Sequence, residues 1–336
     1  MHRALVTAVA AVLLLLQAPT RPRAEVTELR MATQFGIGAM AMIIMQKNQV
    51  LERQLAAAGL PGTKVTWRQF PGGNPMNEGL LSGSLDIVSG GTTVFITLWA
   101  KAKGTPQAVR SIGSISALPL WFMTRNPNVN KLEDLGDKDK IALTTVKVSV
   151  HAILLQMAAE KIWGPAQSNR FDALTVGIPH GDAVAALLSN VHEINNHFSA
   201  PPFQYVEARA SGVRRITTAQ DILGGPASYM MAYATEKFRA DNPKTFAAFT
   251  AALDEVMDYI NKSPRGAAQD YLAASKDPIT VDEAVEMVTD PGAKFTTAPT
   301  NVLTFAEFMH RQGLIKTKPA SWRDMFFPEV YSQPGS

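Results

Sequence analysis

Leu80-Leu81-Ser82-Gly83-Ser84-Leu85-Asp86-Ile87-Val88-Ser89-Gly90-Gly91-Thr92-Thr93 is the stretch whose reading decides the fold class. A helical pattern over 76–82 stops at Gly83. The short apolar run through Leu85, Ile87 and Val88 is a strand, and Ser89-Gly90-Gly91-Thr92-Thr93 turns it into a helix through Lys101. The same order, strand then glycine-containing loop then helix, occurs twice upstream. Residues 29–33 form a strand that enters Gln34-Phe35-Gly36-Ile37-Gly38 and a helical, apolar stretch over 39–58, which Gly59-Leu60-Pro61-Gly62 ends. Residues 65–70 alternate as a strand does, with Val65, Trp67 and Gln69 opposite Thr66, Arg68 and Phe70; Pro71-Gly72-Gly73-Asn74-Pro75 cannot continue it. Three such units predict an α/β lobe with a mostly parallel sheet whose loops gather at the carboxyl ends of the strands.

Downstream the pattern repeats after an extended apolar segment, 112–124, that reads as a crossover. A strand at 141–143, a loop at 144–148 and a helix capped by Ser149 and running to about residue 163 follow. Next come a strand at 174–178, the loop His180-Gly181-Asp182 with Asp182 as N-cap, and a helix over 183–188. The chain returns through another extended apolar segment, 228–234, and long helices over 243–261 and 264–274 wrap the first lobe. The expected organisation is therefore two α/β lobes, residues 25–120 plus 230–336 and residues 121–229, joined by two crossover strands with a cleft between them.

Residues 1–24 hold Arg3 and an apolar run over 4–16 followed by Gln17-Ala18-Pro19, the pattern of a secretory signal peptide cleaved after Ala24 or Ala18. A buried N-terminal helix is the alternative. This run is too short to span a bilayer, and no longer one follows. The segment carries Arg3, Arg21 and Arg23 and no acid, so the remaining basic residues balance the 29 Asp and Glu and the net charge of the rest is zero. No basic stripe interleaved with aromatics remains to recruit nucleic acid. With no cysteine in 336 residues, disulfides, Cys-ligated zinc, iron–sulfur clusters and thiol catalysis are excluded.

Leu80-Leu81-Ser82-Gly83-Ser84-Leu85-Asp86-Ile87, Leu132-Glu133-Asp134-Leu135 before a short strand, Ser149 opening a helix, Pro201-Pro202-Phe203, Phe308-Met309-His310-Arg311-Gln312-Gly313 and Ser321-Trp322-Arg323-Asp324 occur in this order. In these motifs the chain resembles the substrate-binding proteins of ABC importers, in the group of nitrate, taurine, alkanesulfonate and thiamine-pyrimidine-precursor binders. The resemblance implies a type II-like periplasmic-binding-protein fold, hinge closure on a ligand, a periplasmic monomer and an ABC permease in the inner membrane as partner. Many relatives have Gly before the helix-capping Ser or Thr; Val148 departs from that pattern and changes the geometry expected of the loop. Pyrimidine-synthesising relatives resemble cytosolic proteins with a cysteine-rich motif, which this chain lacks.

Ligands of open α/β sheets lie beyond the carboxyl ends of the strands. That rule selects Gln34, Phe35, Gly36, Gly73, Asn74, Ser89, Thr92, Thr93, Lys147, Ser149, His180, His197, Pro202 and Phe203 as ligand-binding candidates. Backbone amides at helix starts with Ser, Thr, Asn and Lys147 suit a small organic anion such as a sulfonate or carboxylate, and Phe35 and Phe203 suit a planar or apolar body. A neutral pyrimidine-type precursor is the alternative, and a secreted enzyme using the same cleft is the competing class. A solvated Lys147 and a structural His197 are the plainer readings of those two side chains. Gly36-Ile37-Gly38-Ala39-Met40-Ala41 matches a dinucleotide fingerprint, but no acid ends the second strand, where Phe70 and Pro71 stand. His192 and His197 are five apart, not the four of a helical zinc motif, so no metal is expected. No cofactor and no catalytic residue is expected: nucleophile elbow, Walker loop and Ser-x-x-Lys are all absent.

Overall fold

The structure is a computed structural model that describes residues 24–189 and 193–336. The signal peptide read from residues 1–24 lies, apart from Ala24, outside the described residues, as does His192. Ten strands are described: β1 (Glu28–Thr33), β2 (Lys64–Gln69), β3 (Ile87–Gly91), β4 (Val109–Ala117), β5 (Trp121–Thr124), β6 (Ile141–Leu143), β7 (Thr175–Gly177), β8 (Asn196–Ser199), β9 (Arg214–Thr218) and β10 (Ser228–Thr235). They form two five-stranded sheets, in the orders β2-β1-β3-β10-β4 and β7-β6-β8-β5-β9.

Both sheets are mixed. In the first, β1 pairs in parallel with β2 and β3, while β10 runs antiparallel to both β3 and β4. The mostly parallel sheet expected from the repeating units is thus parallel only where those units pair. The reason is topological: β4 takes the chain out of the first sheet and β10 brings it back, so side by side they must oppose. The second sheet repeats the arrangement, with β6 parallel to β7 and β8, and β5 antiparallel to β8 and β9. Residues 228–234, expected as an extended crossover, lie in β10, which is hydrogen-bonded on both edges as a strand of the first sheet. The link out is short, residues 118–120, with Leu118 and Leu120 buried.

Local differences from expectation have local causes. The helical stretch over 39–58 is a 3-10 turn, Ile37–Ala39, and two α-helices, Met40–Lys47 and Val50–Ala57, separated where Gln49 takes φ 49°. The helix expected from residue 76 begins at Gly73, and the one expected from 183 begins at His180. Asp182 therefore sits in the first turn, where its charge favours the helix dipole, and not at the N-cap.

The long helix Pro243–Lys262 buries Phe246, Phe249, Leu253, Val256 and Ile260, the i, i+3, i+7 spacing of one helical face. Each such side chain contributes about 1.5–3 kcal/mol on burial. The helix packs on Met40–Lys47 and Val50–Ala57, outside the first sheet. Farther along, Arg311 pairs with Glu160 at 2.7 Å and Ser168 Oγ donates to Gln312 Oε1 at 2.8 Å, so the C-terminal wrap touches the helix Val150–Trp163 of the second lobe as well.

Candidate functional site

The parallel strands of both sheets end toward one another, and a cavity of about 260 Å³ lies there. From the first lobe, Gln34 and Phe35 follow β1 and Pro71 follows β2, and Tyr229 and Met230 open β10, where the chain crosses back into that lobe. From the second, Thr144 follows β6, the turn from Pro179 to Asp182 follows β7, and Phe203 lies beyond β8. Asp277, just past the helix Pro264–Ser275, completes the lining. Phe35 is 53% exposed, an apolar ring kept at the opening.

Four of the residues chosen from sequence line this cavity: Gln34, Phe35, His180 and Phe203. Gly36 and Pro202 stand where the lobes touch. Gly36 has φ 90°, the Ile37 N–H donates to the Pro201 carbonyl at 3.3 Å, and a Cβ on Gly36 would lie 3.1 Å from that oxygen and 3.7 Å from Pro202 Cδ. Only glycine permits both the backbone conformation and the approach. Thr93 makes a second bridge, its hydroxyl donating to the Val148 carbonyl at 2.5 Å.

The other candidates lie outside the lining, and the hydroxyls of Ser89, Thr92 and Ser149 have local partners. Ser89 and Thr33 share a buried hydrogen bond of 2.8 Å, and Thr92 donates to the Ser228 carbonyl at 2.6 Å. Ser149 caps its own helix through the Ala152 N–H at 3.2 Å. Gly73 abuts Val94, Asn74 is exposed in the first helical turn, and Lys147 is exposed with φ 66°.

His197 is fully buried behind the wall. Its Nδ1 bonds to a carboxylate oxygen of Glu207, itself fully buried, and its Nε2 lies 2.8 Å from Nδ1 of His180. The half-buried His180 ring stacks on Phe203 at 5.3 Å between centroids. Behind it lies His151, with its ring 5.0 Å from His180 and 5.7 Å from Tyr229. Burial, reinforced by His197, lowers the His151 pKa to about 3, the Ser199 backbone acting in the opposite direction. Burial, with His197 and His151, also holds His180 well below the ordinary imidazole range. Both rings are neutral at pH 7.

The remaining lining charge is negative. Among the described residues, Asp182 and Asp277 are the charged side chains of the lining, which holds no Lys or Arg. Asp277 accepts from the Tyr271 hydroxyl, whose pKa is raised by burial and then by Asp277 itself. Among the described residues no group of three His, Cys, Asp or Glu is arranged to hold a metal ion. Sequence reading missed Pro71, Thr144, Pro179, Gly181, Tyr229, Met230 and Asp277 as lining, and His151 and Glu207 behind it. Thr144 and Tyr229 were legible as strand-end positions, whereas nothing in the local pattern marks Glu207.

Neither a protein-family model nor a curated protein matches the chain by sequence. Solved structures do match by shape. The alkanesulfonate-binding protein SsuA from Xanthomonas axonopodis pv. citri, bound to MOPS, superposes with a TM-score of 0.68 at 17% identity, over 90% of this chain and 98% of that one. The periplasmic aliphatic sulphonate binding protein SsuA from Escherichia coli gives 0.65 at 18%, over 90% and 92%. The periplasmic nitrate-binding protein NrtA from Synechocystis PCC 6803 gives 0.65 at 14%, over 90% and 84%. Two mixed sheets, two crossings and a cleft cavity at the strand ends, superposing over nine-tenths of the chain, give this protein the two-lobed fold of periplasmic binding proteins.

Proposed function

We propose that the chain is the solute-binding component of an ABC importer, exported by residues 1–24 to the periplasm, and that it carries a small organic solute without altering it. The observation that carries this reading is one cavity of about 260 Å³ drawn from the strand ends of both lobes, bordered by hydrogen bonds that run from one lobe to the other. Residues 25–120 plus 230–336 and residues 121–229 then move as two bodies, and a permease reads the closed shape.

The lining supports a planar, nitrogen-bearing solute, neutral or cationic, over an organic anion. Lys147 and the Ser and Thr residues chosen for an anion lie outside it, leaving Thr144 as the Ser or Thr hydroxyl of the lining, while Asp182 and Asp277 lie within it. A pyrimidine-type precursor belongs to the favoured class, with Phe35 and Phe203 against its faces.

Thermal unfolding against a metabolite panel tests the reading. Stabilisation should grow with the logarithm of ligand concentration once sites are filled, and the stabilising compound should be recovered unchanged. Its steady consumption would make the protein an enzyme. Scattering with the identified ligand should give a smaller radius of gyration than without it.

A further inference from the structure

Three uncharged polar side chains of the cavity wall, Gln34, Thr144 and Tyr229, make no side-chain hydrogen bond among the described residues. For Tyr229 this is unusual. Tyr233, on the same strand, donates to Asn77 Oδ1 at 2.7 Å, and Tyr259 and Tyr331 donate to Asp270 at 3.0 Å and to the Arg323 carbonyl at 2.8 Å. Nor is the Tyr229 hydroxyl among the fully enclosed polar atoms that lack a partner, so it borders open space. A phenol surrounded by protein normally finds a partner, and an unspent one on a cavity wall points to a partner that enters the cavity.

The ring that carries this hydroxyl is held in place. A Cβ on Gly38 would lie 2.6 Å from Tyr229 Cε1 and 2.9 Å from Cδ1, so the ring rests on bare backbone that any other residue would obstruct. The His151 ring meets it edge to face, 5.7 Å between centroids. The second glycine of Gly36-Ile37-Gly38, the dinucleotide-like motif of the sequence, is therefore a seat for Tyr229. Burial raises the Tyr229 pKa above the ordinary phenol range, so the group is O–H at pH 7. We infer that the Tyr229 hydroxyl donates a hydrogen bond to the ligand, and that the cleft thereby selects planar uncharged solutes whose ring nitrogen or carbonyl oxygen accepts it.

The charges of the lining narrow the acceptor. A carboxylate or sulfonate oxygen accepts from a phenol as well, but it would bring its charge into a lining that holds Asp182 and Asp277 and no Lys or Arg. A ring nitrogen or an amide carbonyl accepts without that repulsion. Phe35 and Phe203 offer apolar faces to the same planar body. The inference deepens the solute-binding reading of the cleft and rests on it, but the state of the hydroxyl can be tested without any ligand.

In the full chain labelled with carbon-13 at tyrosine Cζ, with the Tyr229 signal assigned by its loss in Tyr229→Phe, the hydroxyl proton should exchange rapidly for deuterium, as solvent in the cavity reaches it. Slow exchange would put the hydroxyl in the closed void of about 10 Å³ beside Leu118, Leu120 and Phe305, which Tyr229 also lines, and would overturn the inference whatever binds. Aminopyrazine and aniline share one shape and are both uncharged at pH 7.5, but only the first has ring nitrogens that accept. Tyr229→Phe, which keeps the ring on Gly38, should weaken aminopyrazine binding by about fivefold to tenfold and leave aniline within about twofold. A compound identified from the metabolite panel should lose about as much as aminopyrazine. Equal effects on both probes, or none on either, in a variant with native circular dichroism would also overturn the inference. Rapid exchange with no stabilisation by these probes or by the metabolite panel, and no retained small molecule by native mass spectrometry, would instead defeat the cleft-binding reading and the inference with it.

Discussion

Asp86 grips Arg30 at three points: its carboxylate accepts from the Arg30 backbone N–H at 2.8 Å, from Nε at 2.9 Å and from a terminal guanidinium nitrogen at 2.7 Å. Asp86 precedes β3 and Arg30 lies in β1, whose register sets Met31 opposite Ile87, so the carboxylate pins two parallel neighbours at the end remote from the cavity. The acid of the Gly83–Ile87 stretch is thus a brace for the sheet and has no part in binding. Asp86→Ala should cost about 2 kcal/mol, the worth of a multiple charge-assisted bond with a part-exposed partner. Urea unfolding would measure it, with ligand preference unchanged. A loss below about 0.5 kcal/mol would leave the brace without energetic weight.

Gly36→Ala tests the closed contact. With φ 90° and ψ 169° the backbone occupies a region that side chains rarely enter, at about 1–3 kcal/mol, and the new methyl would press on the Pro201 carbonyl. Ligand affinity should fall by about tenfold or more as closure is hindered, and the liganded radius of gyration should exceed that of the wild type. Titration calorimetry and scattering would read the two effects. Unchanged affinity would remove Gly36 from the closing surface.

Acid should destabilise the protein earlier than its carboxylates require. His151 and His180 are neutral in the folded state with lowered pKa values, whereas in the unfolded chain each takes a proton near pH 6.5. Below that pH the unfolded state binds more protons, so stability falls as pH drops. For His151 the loss continues to about pH 3, at up to about 1.4 kcal/mol per pH unit. Melting temperatures from pH 8 to pH 4 should decline from about pH 6.5, and His151→Phe should flatten that decline. Parallel curves for variant and wild type would contradict it.

Glu207→Ala leaves His197 buried with Nδ1 unpaired, which should cost about 3 kcal/mol. Glu207→Gln retains an oxygen that accepts from Nδ1, so it should recover a large part of that stability. Unfolding midpoints of the two variants would be compared. Equal losses would mean that Glu207 contributes packing and not a hydrogen bond to His197.

Strand, glycine-rich loop and helix were readable along residues 29–101 because side-chain periodicity and glycine placement are nearest-neighbour effects. They led to the α/β class, and with the motif order to two lobes. Gln34, Phe35, His180 and Phe203 were readable as lining for the same reason, since each ends a strand or follows its loop. What periodicity does not encode is how a polar group is spent. Ser89, Thr92 and Ser149 look identical to ligand-binding hydroxyls in the chain, yet each is consumed by a partner that only folding brings near: Thr33, the Ser228 carbonyl, and the amide one turn into its helix. The direction of β10 was equally invisible, because an extended apolar segment pairs in parallel or antiparallel according to where the preceding lobe returns it. The link from Glu207 through His197 to His180 joins a short helix, a strand and the first residue of another helix of the second lobe, and so this polar chain behind the cavity was decided by tertiary structure alone, through long-range contacts that no local pattern encodes.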